Sequence, residues 1–521
     1  MNLLTASWIP VRADGGTGKF RLCTYEELLC REATGEDLQI SLPRDDLELA
    51  CLQLLVCLTQ IIFLPRDEQE LRRRFRELVT PEEVNDRIEP FRDWFDIAHP
   101  SQPFMQTRGV KAAETTPIQK LMIGLPEGNN HAFFNEVGEV RRISPGCAAI
   151  VLFNQASNCP SFGGGFKGSL RGGAPITTLV RGNTLRETLW QNVVTLPLLQ
   201  ERLPNYEPDF NRDKPTWVEP VAKNEIIYST AIGLLRGLFW QPAHVELIPS
   251  NAEGICDITG QRFSLVYEKF CSEKFSYNLQ GSAWPHPHGV MIAAKKKGKL
   301  EFKFSSFTTS APAWTQLSEF VVPGMDVNTG EGTTPAAPVQ QTIKMDSGQG
   351  LHLIVGGYRN KQAAILERRH ELLSLAQGWA ENPDYLRRLV EVGKTAKKTL
   401  RGKLYYANQG DTKKGLKGIG AAIHETGEKL FYGRTEGVLH EFLHDVMTFK
   451  EYKLARRQLA ELLQKICQEI FKEMTVPYTH KPELVPIIVV AGRLMNFELH
   501  NLVEGDQPNA NERTKQKRKK A

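Results

Sequence analysis

The sequence predicts an α+β protein: a large mixed α/β N-terminal domain with irregular loops (residues 1–376), followed by a C-terminal four-helix bundle (377–506) and a basic disordered tail (507–521). Three observations predict it. Up to about residue 376, short strand-like runs alternate with glycine-rich turns and a few helical stretches. From Ala376 onward glycine thins out and apolar residues recur at helical spacing. The last thirteen residues, NANERTKQKRKKA, hold six cations against one anion, a composition that cannot bury a core.

At 521 residues the chain is long enough for two to four domains. Its most apolar stretch, LELACLQLLVCLTQIIFL (Leu47–Leu64), carries Glu48, Gln53, Thr59 and Gln60 and ends at Pro65. A membrane span needs about 20 mostly apolar residues, so this stretch reads as a buried core helix. Strands are expected at 150–153, 226–229, 263–267, 274–279 and 351–355, and a hairpin with strands at 290–294 and 300–305. Residues 322–341, rich in Gly, Pro and Thr, read as a long loop. The bundle helices are expected at 382–407, 419–446, 449–474 and 481–503. From Lys394 to Lys417 eight cations face only Asp411 along the chain, which reads as a basic patch or a solvated face.

The net charge of +5 equals the surplus of the tail, so residues 1–508 are formally neutral. Any nucleic-acid affinity of the body must come from local patches. Nine cysteines are scattered without a C-x-x-C pair, and the opening MNLLTASWIPVR lacks a signal-peptide layout. Reduced thiols in a cytoplasmic protein are the expectation.

Four motifs compete to carry chemistry. His440-Glu441-Phe442-Leu443-His444 is an H-E-x-x-H string, which on a helix places two zinc-binding histidines and a general base on one face. No third ligand follows in a recognisable context, and a helical metalloprotease stands as the alternative function. Trp284-Pro-His286-Pro-His288 offers two histidines two residues apart, without a partner cysteine pair. The run SFGGGFKGSLRGG (Ser161–Gly173) matches G-x-G-x-x-G in name only, because the continuation SLRGGAP is hostile to the helix a phosphate cradle needs. It can serve instead where backbone approaches a groove or sugar-phosphate closely, with Lys167 and Arg171 as candidates for nearby phosphates. Gly356-Gly-Tyr-Arg-Asn-Lys361-Gln362-Ala363 reads as a strand leading into a polar turn that could wedge base pairs.

Together these pieces resemble one family. The opening MNLL…WIPVR, then ISLPRDDLELA, SQPFMQTRGVKA, LFNQASNCPSFGGGFKGSLRGG, RGLFWQPAH, EKFSYNLQGSAWPHPH, FTTSAPAWTQ and GGYRNKQAAILERRH are similar to the CasA family. CasA is the large subunit of the type I-E CRISPR Cascade complex. The resemblance runs to about residue 500, densely as far as Gly378. It implies a non-catalytic subunit that recognises the protospacer-adjacent motif in double-stranded DNA, promotes duplex opening and R-loop formation, and recruits a trans-acting nuclease-helicase. The implied partners are guide RNA, double-stranded target DNA and the backbone and small subunits of Cascade, with no membrane and no cofactor.

The resemblance also implies site residues. Gly163, Gly164 and Gly165 would enter the minor groove beside Lys274. Lys361, Gln362 and Ala363 would form the wedge. Phe133 and Asn135 would touch the guide handle. Three departures stand out: Lys361 replaces an expected asparagine, Ser161 an expected glycine, and only Cys147 and Cys256 remain of two C-x-x-C pairs that hold zinc in some relatives. Their partner positions are Ser144 and Thr259, and two thiols do not complete a tetrahedral site, so no metal is expected.

Overall fold

The computed structural model describes residues 1–30, 37–125, 138–204, 206–209, 211–250, 252–296, 298–326, 329–345, 348–361 and 364–505. They form two compact units. The first comprises Met1–Ser310, Glu319–Met345 and His352–Leu372, the second Ala311–Ser318, Asp346–Leu351 and Leu373–Ala521.

The first unit is built around two buried helices. Helix α1 (Asp45–Ile62) carries Asp45, Asp46 and Glu48 in its first turn, where the helix dipole favours anions. Sixteen of its eighteen residues are buried, which is why its sequence shows no polar stripe. Helix α2 (Pro145–Ser157) starts where the Ser144 side chain accepts from Cys147 N and Pro145 takes the first helical position. All thirteen of its residues are buried, in the same apolar core as α1.

Strand β1 (Thr177–Val180) follows. Strands β2 (His244–Pro249) and β3 (Tyr267–Glu273) pair antiparallel, with Glu273 opposite His244. Strands β4 (Met291–Lys296) and β5 (Lys299–Phe304) form a hairpin. Helix α3 (Ala337–Met345) is tied in by Gln341, whose side chain bonds Thr195 N and Val193 O. Strands β6 (Leu351–Lys361) and β7 (Ala364–Leu375) complete a three-stranded sheet in the order β7-β6-β1. Gly356 pairs with Thr177 and Leu353 with Val180.

The second unit contains four long helices: α4 (Pro383–Gln409), α5 (Ile423–His444), α6 (Tyr452–Thr475) and α7 (Val485–Glu504). Their buried residues recur at helical spacing, with Leu389, Ala396, Leu400 and Leu404 on α4, Phe431 on α5, Leu463 on α6 and Ala491 on α7, and α4 packs against the other three. Gly393 permits a close approach, since a Cβ there would stand 2.8 Å from Trp314.

The mixed architecture with C-terminal helices is the one the sequence predicts, and each bundle helix lies within a few residues of its expected bounds. Several local readings are corrected. Residues 150–153 lie inside α2, not in a strand, because a short apolar run buried on every side carries no period. Residues 264–266 and 274–277 lie outside strands, and β3 occupies the stretch between them. The expected loop at 322–341 contains short strands, Gly324–Met325 and Gly332–Thr334, and the start of α3. Part of the basic stretch of the bundle meets acids from elsewhere: Glu428 takes Lys397 and Arg401, Glu498 takes Lys403, and Glu483 takes Lys417. Among the described residues no helix is long and apolar enough to cross a membrane.

His286 and His288 are packed inside the first unit, with rings 5.2 Å apart. His286 Nδ1 accepts from His288 N at 3.1 Å. Burial and nearby arginine charge hold both histidines neutral, His288 down to about 3. An unfolded histidine titrates near pH ~6.5. Their contribution to stability is therefore whole above that pH and is lost as the solution is acidified towards pH ~3. Urea unfolding should show stability falling by about 1.4 kcal/mol per pH unit for each histidine below pH ~6. His288→Asn should remove one histidine's share of that slope, and an unchanged slope would contradict the assignment.

Candidate nucleic-acid interface

The loop between α2 and β1 holds the glycine run. Gly163, Gly164 and Gly165 have φ of 79°, 54° and 92°, three consecutive left-handed residues that only glycine adopts without strain. Phe166 N donates to Gly163 O at 3.0 Å and closes the turn. Two phenylalanines clamp its ends: Phe162 and Phe166 meet edge to face at 5.3 Å, and Phe162 also lies 6.1 Å from Phe270 of β3. Gly164 and Gly165 are exposed, and a Cβ on Gly164 would meet nothing within 4 Å. The tip is therefore bare backbone facing solvent.

Lys274, just beyond β3, reaches this tip. Its Nζ donates to Gly164 O at 2.7 Å and would stand 3.8 Å from a Cβ on Gly165. An aromatic stack fixes the segment behind it. Phe275 stacks on His244 at 4.0 Å, Tyr277 packs 5.1 Å from Phe275, and Trp240 Nε1 donates to Tyr277 OH at 3.1 Å. Burial lowers the proton affinity of His244, which keeps that stack uncharged. Lys167, also exposed, has its Nζ 5.7 Å from the Tyr277 ring.

Arg171 departs from expectation. It is 4% exposed, and its Nη2 bonds Ser157 O and Thr177 Oγ1 at 3.1 Å each, and Asn158 Oδ1. A guanidinium so enclosed staples the two ends of the glycine loop and cannot meet an external phosphate. Sequence reading also missed Phe162 and Phe166, although their placement on either side of the glycines was a visible signal.

The candidate wedge extends from the same sheet. Lys361 is exposed at the end of β6, whereas Gln362 and Ala363 lie outside the described residues, as do Phe133 and Asn135. The hairpin base is firm: Glu367 takes both Arg359 Nε at 2.8 Å and Arg369 Nε at 3.0 Å. Gly357, at φ 158°, lets β6 pass Pro175, whose carbonyl oxygen lies 2.8 Å from where a Cβ would sit. The glycine loop leads directly into β1, and β1 pairs with β6, so loop and wedge strand share one support.

Cys147 and Cys256 are buried with their sulfurs 3.7 Å apart. The hydrogen bond between the two sulfurs, supported by Thr259, lowers the Cys256 thiol to about 5, while Cys147 is raised. Among the described residues no group of three His, Cys, Asp or Glu is placed to hold a metal ion, around this pair or around His440 and His444.

A bare glycine tip and an exposed ammonium thus meet at one point of the surface. Residues 2–471 match the family model of CRISPR-associated protein Cse1, and the chain belongs to that family. The CRISPR-associated protein CasA/Cse1 of Thermus thermophilus is 26% identical over 227 residues, a match spanning 42% of this chain and 42% of that relative. Cse1 of Thermobifida fusca has a similar fold, with a TM-score of 0.73 at 17% identity over 97% of this chain and 98% of that one. So does a chain of a CRISPR RNA-guided surveillance complex, with a TM-score of 0.65 at 16% identity over 95% and 99%. The family recognised from the motifs is thus the family to which the chain belongs.

Metal analysis of the purified chain should return no stoichiometric zinc. His440→Ala should shift the stability by less than about 0.5 kcal/mol, the range of a surface substitution. One zinc per chain, lost in that variant, would restore the metalloprotease reading.

Proposed function

We propose that this chain is the non-catalytic large subunit of an RNA-guided surveillance complex in the cytoplasm. It reads a protospacer-adjacent motif in double-stranded DNA from the minor groove. It then promotes opening of the duplex and formation of the R-loop, and recruits a nuclease-helicase. Gly163–Gly165 and Lys274 do the reading. Lys361, Gln362 and Ala363 wedge the strands apart, and Phe133 and Asn135 contact the guide handle. Guide RNA and the backbone and small subunits of the complex are its partners. Family membership supports the reading, as does the surveillance-complex chain of similar fold.

The observation that carries the proposal is the bond from Lys274 Nζ to Gly164 O, which brings residues 110 positions apart to one exposed point. The minor groove is about 6 Å wide and presents mainly acceptors. A tip without side chains fits such a groove. An ammonium with three donors can satisfy acceptors from either base pair, so it reads permissively. Guide pairing supplies the sequence specificity beyond the motif.

In the assembled complex, Lys274→Ala should weaken binding to intact motif-bearing duplex by about tenfold, one good base contact. Binding to the same target already melted open should change less than about twofold. Equal losses on both would remove the groove-reading role. Gly164→Asp should abolish docking on intact duplex through bulk and repulsion, and Gln362→Ala should slow opening more than docking. Unchanged opening kinetics would rule out the wedge.

A further inference from the structure

We propose that a buried, one-directional hydrogen-bond relay couples the glycine loop to the wedge hairpin. Motif reading and strand opening would then be linked through the first unit rather than acting separately. The proposal rests on the functional reading above and adds the residues that connect its two sites.

The relay begins at Arg171 and ends at Asp46. Arg171 Nη2 donates to Asn158 Oδ1, and Asn158 Nδ2 donates to Asn154 Oδ1 at 3.1 Å. Asn154 Nδ2 donates to Tyr358 OH at 2.7 Å, and Tyr358 OH donates to Asp46 Oδ2 at 2.8 Å. All five side chains are buried. The chemistry of the two ends fixes the direction. A guanidinium can only donate and an ionised carboxylate can only accept, so each amide and the phenol between them has one permitted orientation.

Each end grips one functional element. Arg171 ties the glycine loop to the end of α2 and the start of β1. Asp46 grips both strands of the hairpin, through Tyr358 on β6 and Arg368 Nη1 on β7 at 3.3 Å. Arg44 holds Asp46 from the other side, with Nε and Nη2 at 3.0 and 2.6 Å. Burial pushes the Asp46 carboxyl up, but Arg44, Tyr358 and Arg368 outweigh it and hold it ionised. Burial lowers the Arg171 guanidinium to about 9, so it stays charged at neutral pH. The relay is therefore an ion pair spread over three neutral groups, in which each bond polarises the next. A duplex that draws Lys274 away from Gly164 O frees the loop tip. Any shift carried to Arg171 weakens or strengthens every bond as far as the hairpin.

Tyr358→Phe keeps the ring in place and removes the one hydroxyl that joins α2 to α1 in the relay. Asn154→Leu cuts it one step earlier. The test is a set of double-mutant cycles on the complex assembled from the full chain and a guide RNA. Its probe is a guide-matched duplex with a randomised flank, from which the preferred flank is taken. Opening rate is read on the intact duplex and binding on its pre-opened form.

In the unmodified chain, the opening-rate losses of Lys274→Ala and Lys361→Ala should depart from multiplying by about fivefold or more. In either relay variant the same two losses should multiply within about twofold, with binding to pre-opened duplex unchanged. A merely structural role for Tyr358 would lower all rates together and leave the coupling intact. Coupling that survives in both relay variants, or is missing from the unmodified chain, overturns the relay. If instead Lys274→Ala fails to separate intact from pre-opened duplex, the groove reading fails, and the relay loses its purpose with it.

Discussion

A guanidinium cannot shed its charge at neutral pH, and Arg171 is enclosed in protein. Much of the site follows from that constraint. Burying an uncompensated charge costs several kcal/mol unless hydrogen bonds answer it. Among the described residues Nη2 finds protein partners, while Nε and Nη1 find none. The bonds to Ser157, Asn158 and Thr177 therefore cannot relax cheaply. They pin the end of α2 to the start of β1, and the glycine loop between them has fixed ends. Three left-handed glycines can then project as a defined tip rather than wander, and their entropic cost is confined to a short arc.

The fold was legible where the pattern was long and one-sided. The four bundle helices each show an apolar stripe over twenty or more residues, and their bounds could be read closely. Burial on all sides erased that signal elsewhere. The run Ile150-Val-Leu-Phe153 in α2 has the composition of a central strand, and only the Ser144-Pro145 start marks it as a helix. The segment at 322–341 looked like loop because its two strands are two and three residues long, too short to alternate.

The site was legible in parts and not as a whole. The glycine run announced an unusual backbone, yet nothing in the chain near Lys274 points to Gly164. Their bond depends on β3 pairing with β2 and on the stack of Phe275 upon His244, which are tertiary facts. Arg171 illustrates the opposite error. An arginine between glycines looks exposed in a sequence, and the fold closes over it. The partners of Lys397, Arg401 and Lys403 were hidden for a related reason, since Glu428 and Glu498 lie on other helices and no local window contains the pairs.

A body with no net charge outside its tail is an unexpected home for the proposed duplex-DNA surface, but the two agree on physical grounds. Broad positive fields bind any phosphate backbone and fall steeply with salt. A subunit in the proposed role, sampling many duplexes and rejecting most of them, would gain from weak, local contact. In the proposed role, exposed Lys274 beside a bare backbone would supply that contact, its Nζ bonded to Gly164 O. Docking would then exchange one hydrogen bond for another, with a small net gain. On that reading the affinity that commits the complex would come from guide pairing, after the strands have opened. Neutrality of the body would then be a condition for selective reading, because a stronger local charge would hold the wrong duplex as firmly as the right one.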